Sequence, residues 1–193
     1  MRASPEHMQK IRSHILKAAG QGFREEGFGG LGINGLAQRA GLTSGAFYGH
    51  FKSKNEAFQE VVNQGLNDYE DAIAQFGEQY GEAWQEHFLN FYLGNTHVED
   101  LCNSCVVPGL SADVLRADAK TKGDYSKSVK RIAAGIATQS GDNESGNSLA
   151  LMALLAGTVM MARCISDKQL SKDLRVAARH WAEEMLNQPS END

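Results

Sequence analysis

The 193-residue chain has few features of secreted or membrane-spanning proteins. It holds only three cysteines, an odd number, which argues against a disulfide framework and for reduced thiols. The N-terminus has no apolar segment typical of a signal peptide. The longest apolar run, residues 149–162, is shorter than the ~20 residues that span a bilayer. These absences predict a cytoplasmic protein without a membrane partner.

Sequence signatures of catalysis are also missing. The chain has no nucleophile elbow, phosphate-binding loop, HExxH motif or pair of carboxylates at a recognisable spacing. Strand-like alternation and internal repeats are absent too, whereas apolar residues recur at helical spacing over most of the length. The sequence therefore predicts an all-α protein that is not an enzyme and has no cofactor or metal ion.

Positive charge is concentrated in the first quarter of the chain. The net charge is −5, yet residues 1–54 hold eight lysines and arginines against three acids, a local charge of +5. The remaining residues carry −10. A basic front on an acidic body is typical of a DNA-binding domain joined to a domain that DNA does not attract. The alternative is chance sorting of solvated charge.

Residues 33–54 have the pattern of two short helices joined by a tight turn. Apolar residues at positions 33, 36, 37 and 40 fall on one face of the first helix. Gly41 follows, where a chain leaves a helix through the left-handed conformation. Thr43 and Ser44 then offer side-chain oxygens as caps for a second helix. The pattern indicates a helix-turn-helix.

The second helix of this unit has one apolar and one small, uncharged face. Phe47 and Phe51, four residues apart, lie on its inner side. A helix that is only solvated usually carries lysine and glutamate on its outer side, whereas small residues allow close approach to a DNA major groove. The outer face consists of Ser44, Gly45, Ala46, Tyr48, Gly49 and His50.

These residues resemble the recognition segment of the TetR (tetracycline repressor) family of bacterial transcription regulators. The similarity covers about residues 10–60. It consists of Ala40-Gly41, Thr43-Ser44, Phe47-Tyr48, His50, Phe51 and Lys54, the last opening the next helix. One position departs from the family pattern: Gly32 stands where the family has Ser or Thr as a helix cap, and glycine is the weaker cap.

The resemblance implies two domains. Residues 1–53 would form a three-helix helix-turn-helix DNA-binding domain, and residues 54–193 a larger helical domain for ligand binding and dimerisation. In the family, the last two helices pair with those of a second chain, which predicts a homodimer through residues 149–164 and 170–185. The alternative is that residues 149–164 form the central helix of a monomeric bundle.

The predicted partner of the N-terminal domain is double-stranded operator DNA. Gly45 and Ala46 allow close approach, and Tyr48 and His50 are expected to bind phosphate oxygens. Lys54 is expected to pair with phosphate at a helix N-terminus. The full set of predicted contacts is Asn34, Thr43, Ser44, Gly45, Ala46, Tyr48, His50 and Lys54.

The body is expected to bind an unknown small-molecule inducer between its helices. The candidate residues are Trp84, Phe88, Phe91, Tyr92, Cys102, Cys105, Tyr125 and Met152. Cys102 and Cys105 form a C-x-x-C pair that is open to three interpretations: plain packing, a redox or electrophile switch with a lowered thiol pKa, or a zinc site that lacks a second pair of ligands.

Together these features predict a ligand- or stress-responsive DNA-binding transcriptional regulator. We expect a repressor that a small-molecule or thiol-reactive inducer releases from its operator. The alternative is a helical small-molecule-binding or adaptor protein without specific DNA binding.

Overall fold

The computed structural model describes residues 4–141 and 146–187, and these are folded into helices and connecting loops without a strand. The all-α prediction is therefore confirmed. The helices are α1 (Pro5–Gly30), α2 (Ile33–Arg39), α3 (Ser44–Tyr48), α4 (Lys54–Tyr80), α5 (Trp84–Tyr92), α6 (Asn95–Glu99), α7 (Val106–Val114), α8 (Ala119–Ser140), α9 (Gly146–Cys164) and α10 (Lys168–Asn187), with a 3-10 turn at Gly81–Ala83.

Two helices end at a glycine with positive φ, one at the predicted position and one after it. Regular α1 stops at Gly27, whose φ of 73° breaks the helix where the sequence predicted its end. Apolar residues recur at helical spacing as far as Phe76, which predicts the end of α4 near that residue. The helix instead continues to Tyr80, and Gly81 with φ 54° ends it. The extra turn is largely exposed, so its polar residues do not interrupt the helix.

Three further boundaries differ from the sequence prediction. The sequence did not predict the short helix α6, and it predicted that α8 begins at Tyr125. Helix α8 begins at Ala119 because Asp118 caps it by accepting a hydrogen bond from Thr121 N at 2.7 Å. Ser148, predicted as the cap of α9, lies inside that helix, which begins at Gly146. Part of the predicted loop before α9, residues 142–145, and the predicted polar tail from residue 188 onward lie outside the described residues.

Helix α4 contributes the longest row of side chains to the core and contacts both ends of the molecule. It packs against α1 near its start and against α8 along much of its length. Gly65 allows close contact with α7, because a Cβ there would lie 2.7 Å from Val106 Cβ. Its buried residues are Ala57, Phe58, Val61, Val62, Leu66, Tyr69 and Ile73. The predicted boundary between residues 53 and 54 falls at the start of this shared helix and stays a prediction.

Direct hydrogen bonds also join the N-terminal helices to the body. Phe28 N donates to Asp113 Oδ2 of α7 at 3.2 Å. Gln21 Nε2 donates to Asn103 Oδ1 at 3.0 Å, in the segment before α7. The position of α1 is therefore coupled to that of α7 and the preceding segment.

Helix α9 is buried on one side only. It has 19 residues and is apolar enough to meet the length and composition of a membrane span, so the expectation that this region is too short was wrong. A core helix of a soluble protein meets the same test. Its uncovered face is apolar or small and comprises Leu149, Ala150, Ala153, Gly157, Met160, Met161 and Cys164.

Candidate nucleic-acid interface

The turn between α2 and α3 has the geometry that its sequence predicted. Gly41 has φ 65°, a conformation that other residues rarely adopt. Around it, Gly41 N donates to Gln38 O and Leu42 N donates to Ala37 O, both at 2.9 Å. Thr43 then caps α3, because its Oγ1 accepts a hydrogen bond from Ala46 N at 3.2 Å. These local bonds fix the angle at which α3 leaves α2.

The inner face of α3 and the turn after it are anchored in the core of the N-terminal domain. Phe51, which the sequence predicted inside this helix, lies three residues past its end at Tyr48. Phe47 and Phe51 are 0% and 1% exposed, and their ring centroids lie 5.4 Å apart. They pack in the same core cluster as Leu36 and Ala37 of α2. Truncating a buried Phe to Ala typically costs about 3–5 kcal/mol, so the two rings hold α3 firmly against the domain.

The outer face of α3 is uncovered by the rest of the chain. Tyr48 is 55% exposed, and Gly45 is exposed as well. Ala46 and His50 are half-buried at the edges of the same face. The described residues of the body do not bury this surface, so it is accessible to an external partner.

Asn34 and Ser44 are brought together across the turn. Ser44 Oγ donates to Asn34 Oδ1 at 2.6 Å. Ser44 therefore does not share the capping role, which Thr43 performs alone. Gly32 caps α2 without a side-chain hydrogen bond, as the sequence predicted for this position. The Asn34–Ser44 pair holds both side chains in place at the edge of the exposed face.

Lys54 has contacts that the sequence did not predict. Its Nζ donates to Phe28 O at 2.8 Å and to Leu31 O at 3.2 Å, and it lies 4.1 Å from the centroid of the Phe28 ring. The ammonium group has three N–H donors. Two are used to hold the connection between α1 and α2, so only one remains for a phosphate oxygen.

Several bases of the N-terminal region are paired within the protein. The Arg12 guanidinium lies 4.3 Å from the centroid of the Phe51 ring and pairs with Glu60. Arg39 pairs with Glu25 and Glu26, which raises the pKa of its guanidinium through hydrogen bonds. In contrast Lys52, one residue past Phe51, is exposed. It was not among the predicted DNA contacts, although a lysine between the helix caps Thr43 and Ser53 was a visible signal.

The eight predicted ligand residues do not converge on one site. Trp84, Phe88, Tyr92 and Met152 are buried in the core, and Tyr125 is half-buried with its hydroxyl 2.8 Å from Ser111 Oγ. Phe91 is 55% exposed, because it lies on the outer side of the amphipathic helix α5, so its expected place in an interior pocket is wrong.

Small clefts reach two of the eight residues. One of about 480 Å³ touches Trp84, and another of about 450 Å³ touches Cys102 between α1 and α4. A third cleft, of about 960 Å³, is lined by none of the eight. The clefts depend on how helices from distant parts of the sequence meet, which helical spacing alone does not reveal.

The cysteine pair does not have the lowered pKa of an activated thiol switch. The Cys102 thiol donates to Glu25 Oε1 at 2.6 Å, and this hydrogen bond raises the pKa of the thiol. Burial raises the pKa of the Cys105 thiol. A raised pKa favours the thiol over the nucleophilic thiolate in both side chains. Within residues 4–141 and 146–187, no group of three or more His, Cys, Asp or Glu side chains is placed to hold a metal ion.

Comparison with known proteins agrees with this geometry. Residues 15–61 match the family described as bacterial regulatory proteins, tetR family. Curated relatives include the HTH-type transcriptional regulators AcrR of Shigella flexneri, 37% identical over 60 residues, and TtgR of Pseudomonas putida, 32% identical over 83 residues. These matches cover 31% and 43% of this chain and 28% and 39% of the relatives. The chain thus matches less than half the length of the curated relatives.

The fold similarity extends over nearly the whole chain. The reduced form of Escherichia coli NemR has a TM-score of 0.74 at 18% identity and covers 91% of this chain and 96% of its own. A TetR-family regulator from Cytophaga hutchinsonii has a TM-score of 0.75 at 12% identity and covers 95% and 98%. Such identities show the fold alone.

An N-terminal helix-turn-helix on a larger helical domain is the architecture that the chain shares with these solved structures. Residues 15–61 carry the sequence of the tetR family, and the chain has the fold of a solved TetR-family regulator. The relatives are transcription regulators, not enzymes.

Proposed function

We propose that the protein is a homodimeric DNA-binding transcription repressor that a small-molecule inducer releases from its operator. The observation that carries this proposal is the outer face of α3, which is uncharged, made of small residues and uncovered, while its inner face is anchored by Phe47 and Phe51. A rigid helix with such a face fits a major groove.

The proposed contacts fall into two groups. Gly45 and Ala46 approach the base edges, with no bidentate arginine to select guanine. The phosphate contacts come from the side chains around the helix. They are Asn34, Thr43, Ser44, Tyr48, His50, Lys52 and the remaining N–H of Lys54.

The dimer partner is proposed to cover the exposed side of α9 and α10. Met160 is 49% exposed on α9, and Leu170 and Trp181 are 54% and 59% exposed on α10. Apolar surface of this kind is stabilised by burial at about 25 cal/mol per Å². Two-fold symmetry would present the two α3 helices to half-sites ~34 Å apart.

The proposed inducer response has support in the core of the body. The hydroxyl groups of Tyr69 and Tyr92 are buried close to each other and to the Cys105 thiol, and neither forms a hydrogen bond of normal geometry. Burial is also the main reason that the pKa of each phenol is well above its usual value. Unpaired buried hydroxyls are costly, and a polar ligand group that bound between them would relieve that cost.

A DNA-binding assay with matched glutamate variants tests the proposal. Wild-type protein should specifically and salt-dependently retard DNA from upstream of its own gene. Ala46→Glu places a carboxylate on the proposed groove face and should abolish retardation, whereas Ala134→Glu, on the exposed side of α8, should not. The adaptor alternative predicts no specific retardation by any of the three proteins.

The same control serves for the dimer. Ala153→Glu places a charge in the uncovered face of α9 and should convert a particle of twice the chain mass into a monomer in light-scattering chromatography. Ala134→Glu should remain dimeric. A wild-type monomer would refute this interface.

A further inference from the structure

A cleft of about 960 Å³ lies in the body, away from the helix-turn-helix. Its walls come from the end of α9, the first half of α10 and the segment that joins α5 to α6. The volume is in the range of small-molecule sites in proteins. The apolar part of the lining includes Leu89, Leu93, Val98 and Ile165.

The charged part of the lining is strongly one-sided. Glu99 is the only acid among the lining residues, although the chain as a whole is acidic. Arg179 is partly neutralised by its ion pair with Glu183. The nearby Asp167 is occupied as well, since its Oδ1 accepts hydrogen bonds from Gln169 N and Leu170 N at the start of α10. The five bases are Arg163, Lys168, Lys172, Arg175 and Arg179.

Two of the arginines are held in position by backbone carbonyls, not by carboxylates. Arg163 donates from Nε to Val98 O at 3.0 Å and from Nη2 to His97 O at 2.9 Å. Arg175 donates from Nη1 to Leu93 O at 3.0 Å. Within the described ranges neither guanidinium forms an ion pair, and Arg163 Nη1 is buried without a partner. Both positive charges are therefore oriented without a carboxylate in direct contact, and Asp100 acts on Arg163 only through longer-range attraction.

The cleft is distinct from the proposed dimer face of α10. Positions 168, 172, 175 and 179 recur at helical spacing on one side of α10 and line the cleft. Leu170, Ala177 and Trp181 lie on the opposite side of the helix, by the same period of 3.6 residues. A second copy that covered the apolar side would leave the basic side facing the cleft.

From this arrangement we infer that the cleft binds an amphipathic organic anion, an oxyanion group such as carboxylate, sulfonate or phosphate on an apolar skeleton. The oxyanion accepts hydrogen bonds from the guanidinium groups of Arg163 and Arg175, and the lysines of α10 add charge at the mouth. The apolar skeleton lies against the more exposed lining residues Leu101, Ile165 and Val176. A neutral ligand would leave both guanidinium groups without an anion in direct contact.

The regulatory consequence of binding rests on the proposed function. An anion that engages Arg163 competes with the carbonyl of His97, whose Nε2 accepts a hydrogen bond from Cys105 N at the start of α7. Helix α7 in turn holds Phe28 N through Asp113. Occupancy of the cleft is thereby linked through packed, hydrogen-bonded elements to the helix-turn-helix.

Fluorescence titration with the anionic dye anilinonaphthalene sulfonate tests the site without DNA. Wild-type protein should bind this dye more tightly than neutral phenylnaphthylamine, and dodecanoate should displace it while dodecanol does not. Lys168→Glu/Lys172→Glu and, separately, Arg175→Gln should weaken dye binding about tenfold or more. Because both lysines are exposed, the double variant should fold like the wild type, and circular dichroism checks this.

The matched control is Lys122→Glu/Lys130→Glu, which makes the same charge change on the exposed side of α8. It should bind the dye like the wild type. Equal binding by all variants, or equal affinity for the charged and neutral dyes, would overturn the inference. These outcomes leave the DNA assay of Ala46→Glu untouched, so failure of the cleft and failure of the regulator function are separate results.

Discussion

Replacing Lys54 by Met is expected to loosen the N-terminal domain before it affects any DNA contact. Methionine keeps the apolar stem and removes the ammonium that bonds Phe28 O and Leu31 O. Hydrogen bonds to charged groups contribute about 1.5–3 kcal/mol each, and the contact with the Phe28 ring about 0.5–1 kcal/mol. Because Lys54 is only half-buried, water replaces part of this loss, and we expect about 2 kcal/mol of local stability to disappear.

Amide hydrogen exchange is the suitable assay, since both tryptophans, Trp84 and Trp181, lie in the body and do not report on the N-terminal domain. A loss of about 2 kcal/mol should accelerate exchange in residues 28–48 roughly thirtyfold, with little change in α8. Lys52→Met, at an exposed neighbour, should leave exchange within a factor of about two.

The salt dependence of DNA binding then separates the structural role of Lys54 from its proposed phosphate contact. Losing a phosphate contact reduces the slope of log affinity against log salt by about 0.9. Lys52→Met should show that reduction in slope. Lys54→Met should show a smaller one, because two of the three N–H donors of Lys54 bind backbone carbonyls and only one is left for a phosphate. Unchanged exchange in Lys54→Met would refute the structural reasoning.

Three further predictions concern the α3 face, the body and the thiols. Tyr48→Phe should weaken DNA binding roughly tenfold for all sequences alike without changing stability, because the side chain is exposed; a sequence-dependent effect in anisotropy titrations would contradict a phosphate role. Burial lowers the pKa of His97 in the folded protein, so the unfolded state binds the proton more readily and the free energy of unfolding should fall as the pH drops below about 6.5. In urea titrations followed by tryptophan fluorescence, His97→Ala should be less stable at neutral pH and should lack this dependence of stability on pH. At pH 8 the thiols of Cys102 and Cys105 should react with iodoacetamide more slowly than free cysteine, and a Cys102→Ser/Cys105→Ser protein with an unchanged response to oxidants would exclude a thiol switch.

The helix-turn-helix was predictable from sequence because its signals are local. Gly41, Thr43 and Phe47 each act within a few residues of the chain, so the turn, the cap and the inner face follow from spacing alone. Lys54 and Arg12 were not predictable in the same way. Their partners lie 26 and 48 residues away, and only the folded structure shows that both charges are used within the protein.

The proposed ligand site was not predictable from sequence, because its residues are far apart in the chain. Aromatic residues such as Phe88 and Tyr92 recur at helical spacing, which predicts a buried face but not whether that face is filled. The basic cleft joins α5 and α6 to α9 and α10, and its arginines are about 65 to 82 residues from the carbonyls that orient them. No local sequence pattern could have predicted that these arginines and carbonyls lie together in one cleft.

The exposed face of helix α9 bears on the choice between a monomeric bundle and the proposed dimer interface. Its buried side holds Leu151, Leu155 and Val159, so the helix is indeed part of the core. A helix that is central in a monomer would be covered on its remaining faces, and a helix that faces water would carry charge there, as α8 does with Lys122 and Lys130. The uncovered face of α9 is neither covered nor charged, and Ala153 and Gly157 make it flat enough for a second helix to approach closely. An apolar, flat and unoccupied face supports the proposal that a second copy of the chain covers it, which is also what two α3 helices would need in order to act on one duplex.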